Sequence, residues 1–224
     1  MLSSIKIPFA ITLLKKLFVL SSSICIWLFT FYYSTPYLQK ILRPLCKNIL
    51  PGPRLLINHV FIFSFFTALV CFLYYLFLEK KFQLPKIQIN KNTLSNALIQ
   101  GTLLGIVIAI IFIPLALYRW NMNIHFTLNL WSILGNLFSN TWEEIVHRGL
   151  IMMASLYAFK NEKIAWLISG LTFAWSHEQY PLEIRVAIGI IGCSFGWIYF
   201  KTKNFAAPIT AHCVSDWILD SLFP

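Results

Sequence analysis

Asn140-Thr-Trp-Glu-Glu-Ile-Val-His-Arg148 sets two neighbouring carboxylates, a histidine and an arginine between two apolar runs, Leu128 to Phe138 and Gly149 to Phe159. The chain has only eight acidic residues, and two of them stand here side by side. At bilayer depth a charged side chain costs several kcal/mol unless it faces the protein interior and meets a partner, about 2.5–3.5 kcal/mol on insertion scales. On a regular helix Glu143 stacks with His147 and Glu144 with Arg148, each at i,i+4. The stretch therefore reads either as a buried ion pair that fixes helix packing or as part of a functional site.

Two more polar clusters lie downstream on apolar segments, and they favour the second reading. One is Phe173-Ala-Trp-Ser-His177. The other is Ala211-His212-Cys-Val-Ser-Asp216. All three carry an i,i+4 pair: Glu144/Arg148, Phe173/His177 and His212/Asp216.

The composition sets the class. The chain of 224 residues is 58% hydrophobic and 12% charged, with a mean hydropathy of +0.70, against about 25% charged for a soluble domain. The expected fold is all-α: a polytopic transmembrane bundle of about seven or eight helices, one integral membrane domain over 1–224. The net charge of +10 reads as loop lysines and arginines at a membrane surface. No basic stretch is interleaved with aromatics, so nucleic acid is not an expected partner. The five cysteines are scattered, odd in number and without C-x-x-C spacing. They suggest packing residues rather than a disulfide framework or a metal site, although Cys213, beside His212, leaves a catalytic thiol open.

Along the chain the expected spans are 17–34, 56–78, 95–118, 127–159, 164–177, 186–200 and 205–221. The amino-terminal basic residues Lys6, Lys15 and Lys16 precede the first, which lacks a signal-peptide cleavage site, and Pro36 closes it. Pro51-Gly52-Pro53 breaks the loop 35–55, and His59 reads as interfacial. Segment 79–94 reads as a loop or a short amphipathic piece. Gly101 and Gly105 form a G-x-x-x-G face, a weak sign of close helix contact, and Pro114 marks a kink. A link at 119–126 contains Arg119 and His125, and 178–185 is a polar connection. With an inside amino terminus, eleven basic residues fall inside and six outside, which favours a cytoplasmic amino end.

The last three clusters reach similar depth. At about 1.5 Å per residue, Glu143 lies roughly 24 Å from its Lys-bearing turn, His177 roughly 20 Å, and His212 and Asp216 roughly 12 and 18 Å. One interior wet cavity formed by the carboxyl-terminal helices could hold them all. Glu143 with His177 could hold and deprotonate a water, while Glu144 stays ionised against Arg148. His212 could hydrogen-bond an oxyanion, with Asp216 orienting its ring. No serine stands in a nucleophile setting. Zinc on Glu143, His177 and His212 is the rival chemistry, and a proton relay uses the same residue types.

These residues resemble a known family. Glu143-Glu144-x-x-x-Arg148, Phe173-x-x-x-His177 and His212-x-x-x-Asp216, the last approached through Asn204-Phe-Ala-Ala-Pro-Ile-Thr-Ala, are similar to the three motifs of the CPBP family, also called the Abi or CAAX protease family. The resemblance covers about 139–217. It implies a catalytic helical core over 127–221 behind amino-terminal transmembrane helices over 1–126, in a multi-pass protein of a bacterial plasma membrane. It further implies a glutamic-type intramembrane endopeptidase needing no metal or other cofactor, with Glu143, His177, His212 and Asp216 catalytic and Glu144, Arg148, His147 and Phe173 supporting. Asp216 departs from the asparagine of the eukaryotic prenyl-protein proteases, and His147 from an apolar or aromatic residue. Expected partners are the bilayer and a peptide or membrane-protein substrate. The alternative from another class is a non-enzymatic membrane protein, a bacteriocin self-immunity factor or a proton-coupled carrier. Oligomeric state and substrate are not written in the sequence.

Overall fold

The computed structural model describes residues 6–30, 62–119 and 123–223. Pro36, the loop 35–55 and His59 lie outside them. The described residues form seven helices and no strand. Helix α1 is Lys6–Leu28, α2 is Ile62–Phe82 and α3 is Leu94–Arg119. Helix α4 is α-helical over Leu130–Glu144, π-helical over Ile145–Met152 and α-helical again over Met153–Phe159. Helices α5, α6 and α7 are Glu162–Trp175, Leu182–Thr202 and Ala206–Leu222.

Local chemistry sets most ends. Asn129 caps α4 by accepting from the Trp131 N–H, and Asn161 caps α5 by accepting from Lys163 and Ile164. Lys160 and Lys203 take left-handed conformations (φ 55° and 50°) that stop the helices before them. Pro114 lies inside α3.

Several expected boundaries move. The first helix starts at Lys6, not at 17, so Lys15 and Lys16 ride on it. Helix α2 runs to Phe82, four residues into the expected loop, and Gln83 at φ 56° ends it. Helix α5 ends at Trp175, so His177 stands in the turn that follows. Helix α6 begins at Leu182 after Pro181, whose carbonyl accepts from the Ile184 and Arg185 N–H groups, so Glu183 and Arg185 are helical.

Among the described residues, three helical stretches are long and apolar enough to cross a membrane: Ala10–Leu28, Lys91–Tyr118 and Leu182–Thr202. All seven expected helices are present, and α4 and α5, which form the site, are not among these three. Helix α5 has 14 residues, about 21 Å at 1.5 Å each, against a hydrocarbon core of about 30 Å. Helix α4 carries Glu143, Glu144 and Arg148.

Small residues bring the helices close. A Cβ on Gly101 would lie 2.5 Å from the Ala207 carbonyl oxygen of α7, and one on Gly105 would lie 2.6 Å from that of Ala211. The G-x-x-x-G face is therefore the seam between α3 and α7. Gly170 of α5 makes the matching contact on α6, where a Cβ would lie 2.8 Å from the Gly189 carbonyl oxygen. At the opposite end, the link after α3 pairs with α7: the His125 N–H donates to the Leu222 carbonyl and the Thr127 N–H to that of Ser221. These contacts fix how far α7 is inserted and which way it faces.

Candidate active site

Antiparallel α4 and α7 meet along two polar stripes. On α4 the stripe is Ser132, Asn136, Asn140 and Glu144, each four residues from the next. On α7 it is His212, Asp216 and Asp220, at the same spacing. Four-residue steps keep side chains on one helix face, and the two faces join rung by rung. At the open end the Ser132 hydroxyl (2.8 Å) and the Asn136 amide (2.9 Å) donate to Asp220 Oδ2. In the middle the Asn140 amide donates to Asp216 Oδ2 at 2.8 Å. At the deep end His212 Nδ1 meets Glu144 Oε1 at 3.0 Å.

The deep rung continues into the core. The same Glu144 oxygen lies 3.0 Å from Arg148 Nη1, and both side chains are fully buried. Arg148 Nη2 donates to the Gly192 carbonyl at 2.8 Å. Its guanidinium lies over the faces of Phe173 and Phe195, 4.8 and 5.2 Å from the ring centroids. The buried cation thus has a counter-charge, one hydrogen bond through Nη2 and two aromatic faces, while its Nε and Nη1 make no hydrogen bond among the described residues.

His177 is held from its own helix end. Its Nδ1–H donates to the Phe173 carbonyl at 2.8 Å, because a carbonyl oxygen only accepts. In its neutral form the ring then keeps Nε2 as an acceptor. Phe173 is the hub of the site, with ring centroids 4.7 Å from His177, 5.5 Å from His212 and 5.1 Å from His147.

A cavity of about 570 Å³ opens beside the ladder. Glu143, His177, His212 and Asp216, drawn from three separate parts of the chain, all line it, and so do Phe173, Asn140 and Asp220. Its other wall is apolar, with Ile108, Phe112, Ile184, Ile188, Ile191 and Phe195. Glu143 Oε1 accepts from the Ser139 hydroxyl at 3.3 Å.

Some sequence-named residues are placed differently from expectation. His147 was expected to stack with Glu143, on the assumption of a regular α-helix. The helix is a π-helix from Ile145, and although Glu144 still meets Arg148 four residues on, Glu143 and His147 have different surroundings. His147 is fully buried between α1 and α5, edge-on to Trp27 and Phe173, with Nδ1 3.4 Å from the Thr172 hydroxyl. It is not among the residues that line the cavity, whereas Glu143 is. Asp216 was expected to orient His212. The hydrogen bond that orients the ring comes from Glu144 instead, and Asp216 Oδ2 stands 3.6 Å from Nε2, beyond hydrogen-bond range. Cys213 is buried, with its thiol 3.9 Å from the Asn136 carbonyl oxygen, and is not among the residues that line the cavity. Among the described residues, no three His, Cys, Asp or Glu side chains converge as ligands for a metal ion.

Sequence reasoning missed Asn140, Asn136, Ser132 and Asp220. The four-residue polar period running from Ser132 to Glu144 was the available signal. Reading only acids and bases hid it, because the amides and the hydroxyl carry no charge.

A family model described as Type II CAAX prenyl endopeptidase Rce1-like matches residues 125–218. No curated protein and no solved structure matches the chain with significance.

Proposed function

Because residues 125–218 belong to the Rce1-like family of type II CAAX prenyl endopeptidases, we propose that the chain is a multi-pass intramembrane protease of the glutamic type, in a bacterial plasma membrane. Its substrate is a membrane-associated peptide or protein tail. The observation that carries this reading is the gathering of Glu143, His177, His212 and Asp216 around one cavity, with Glu144 and Arg148 paired directly behind them. The family favours a protease over the carrier and immunity alternatives.

The chemistry follows from the hydrogen-bond partners. A water between Glu143 and His177 gives one O–H to the carboxylate and the other to His177 Nε2. Its oxygen lone pair is then left to face a scissile carbonyl. Glu143 takes the water proton as the oxygen adds to the carbonyl carbon. The carbonyl electron pair moves onto its oxygen, where His212 Nε2–H donates to the developing charge. His212 already gives its Nδ1 proton to Glu144, so donation from Nε2 requires the doubly protonated ring, and two nearby carboxylates support that charge. Glu143 then passes its proton to the amide nitrogen, the C–N bond breaks, and an acid and an amine leave. No step uses a metal.

The test is cleavage of an internally quenched, farnesylated CAAX-tailed peptide by the purified full chain in detergent. Glu143→Gln is expected to lower kcat by about 10²–10⁴-fold, the range for loss of a general base, and His177→Ala to act in the same direction. A Gln variant that cleaves at the wild-type rate would sink the glutamic mechanism. Activity lost to a chelator and restored by Zn²⁺ would overturn its metal-free form.

A further inference from the structure

The middle rung of the ladder presents an arrangement that the mechanism above leaves unused. Asp216 Oδ2 is shared: it accepts from the Asn140 amide at 2.8 Å and faces His212 Nε2 at 3.6 Å. The carboxylate is therefore near enough to act by charge and too far to take the Nε2 proton. Its side chain is 35% exposed, so the cavity gives it room to turn. Asn140 is 3% exposed and fixed on α4, and it supplies the shorter of two hydrogen bonds that restrain the carboxylate, the other running from the Ser215 hydroxyl to Oδ1 at 3.5 Å.

We propose that Asn140 is a positioning residue that ties Asp216 back from His212, keeping the Nε2 proton available to the oxyanion. The inference rests on the reading of His212 as the oxyanion donor. Untethered, an ionised Asp216 would rotate onto His212 and form a charge-assisted bond of about 2.7–2.9 Å. That bond would occupy the donor the reaction needs. Asp216 thus helps from a distance and inhibits in contact, and Asn140 sets which of the two it does.

The arrangement makes an unusual prediction of epistasis. With the farnesylated peptide, Asn140→Leu is expected to lower kcat by about 10–100-fold, below the full loss of an oxyanion-hole donor, and to change KM by less than about twofold. Asp216→Asn is slower than wild type on its own. The double variant nevertheless turns over several-fold faster than Asn140→Leu, because the competing carboxylate is gone. A merely structural Asn140 gives a double variant no faster than the single one. Asn140→Ala replaces Asn140→Leu if the larger side chain prevents folding.

A second readout does not need turnover. In the full chain with ¹⁵N-labelled histidine, the His212 ring signals are assigned by their loss in His212→Gln. The Nε2–H proton is expected to move downfield in Asn140→Leu and to return in the double variant. An unmoved signal, or a double variant without recovery, overturns the proposal. If the wild-type chain leaves the peptide uncut, the protease reading fails alone, and the ring signals still decide for or against the tether.

Discussion

Helix α7 has two working faces, and they differ in kind. Towards α3 it packs backbone against backbone through Gly101 and Gly105, with no space for a methyl group. Towards α4 it presents His212, Asp216 and Asp220 to a matching set of donors and one carboxylate. The first face is shape without charge. The second is charge held in register by that shape. In hydrocarbon, association comes from packing and interhelical hydrogen bonds rather than from water exclusion, so the glycine seam and the polar ladder share the task that a hydrophobic core performs in a soluble protein.

The contrast is broken most severely at the deep rung. Glu144→Ala leaves Arg148 buried without its counter-charge, an error worth about 3–5 kcal/mol. A large fall in the midpoint of denaturation in mixed micelles is expected, together with loss of cleavage. Arg148→Met in the same chain should recover much of the stability and none of the activity. Equal stability for Glu144→Ala and wild type would show that the pair does not hold the helices. The seam comes next. Gly105→Ala must move α7, because its Cβ would meet the Ala211 oxygen at 2.6 Å, and overpacking of this kind costs about 1–3 kcal/mol. Activity should fall with stability, since Ala211 adjoins His212; stability lost with kcat intact would separate the seam from the site. The open rung is the weakest. Ser132→Ala removes one of two donors to an exposed carboxylate, about 0.5–1.5 kcal/mol at most. Its melting curve should lie close to that of wild type, and a shift as large as that of Gly105→Ala would contradict the gradient from the deep end to the open end.

Much of the site was readable because intramembrane acids and imidazoles are too costly to be incidental. Their spacing alone placed Glu143, His177, His212 and Asp216 together. Other features have no such mark. Nothing in Ile145–Met152 announces a π-helix, and nothing in the sequence told whether His147 would stand beside Glu143 or fill space in the core, where it lies. Asn140 stood in the first stretch to be read, yet an amide becomes meaningful only beside its partner, 76 residues away in the chain. The G-x-x-x-G pair was visible, but small residues are common in apolar runs, and only the nearness of α7 gives these two a purpose. The shortness of α5 was hidden as well, since Phe173-Ala-Trp-Ser-His177 continues an apolar pattern past the point where the helix stops.

The π-helical stretch of α4 carries a consequence for the angle between its two halves. It begins directly after Glu144 and keeps seven of its eight residues buried. Its wide turns take up more residues than α-helical turns do, so winding these eight residues as ordinary α-helix would turn one half of α4 against the other. Either the carboxylates would rotate out of the cavity or Met153–Phe159 would leave its seat. The wide turns between Glu144 and Met153 thus set the angle between the candidate site and the carboxyl-terminal end of α4.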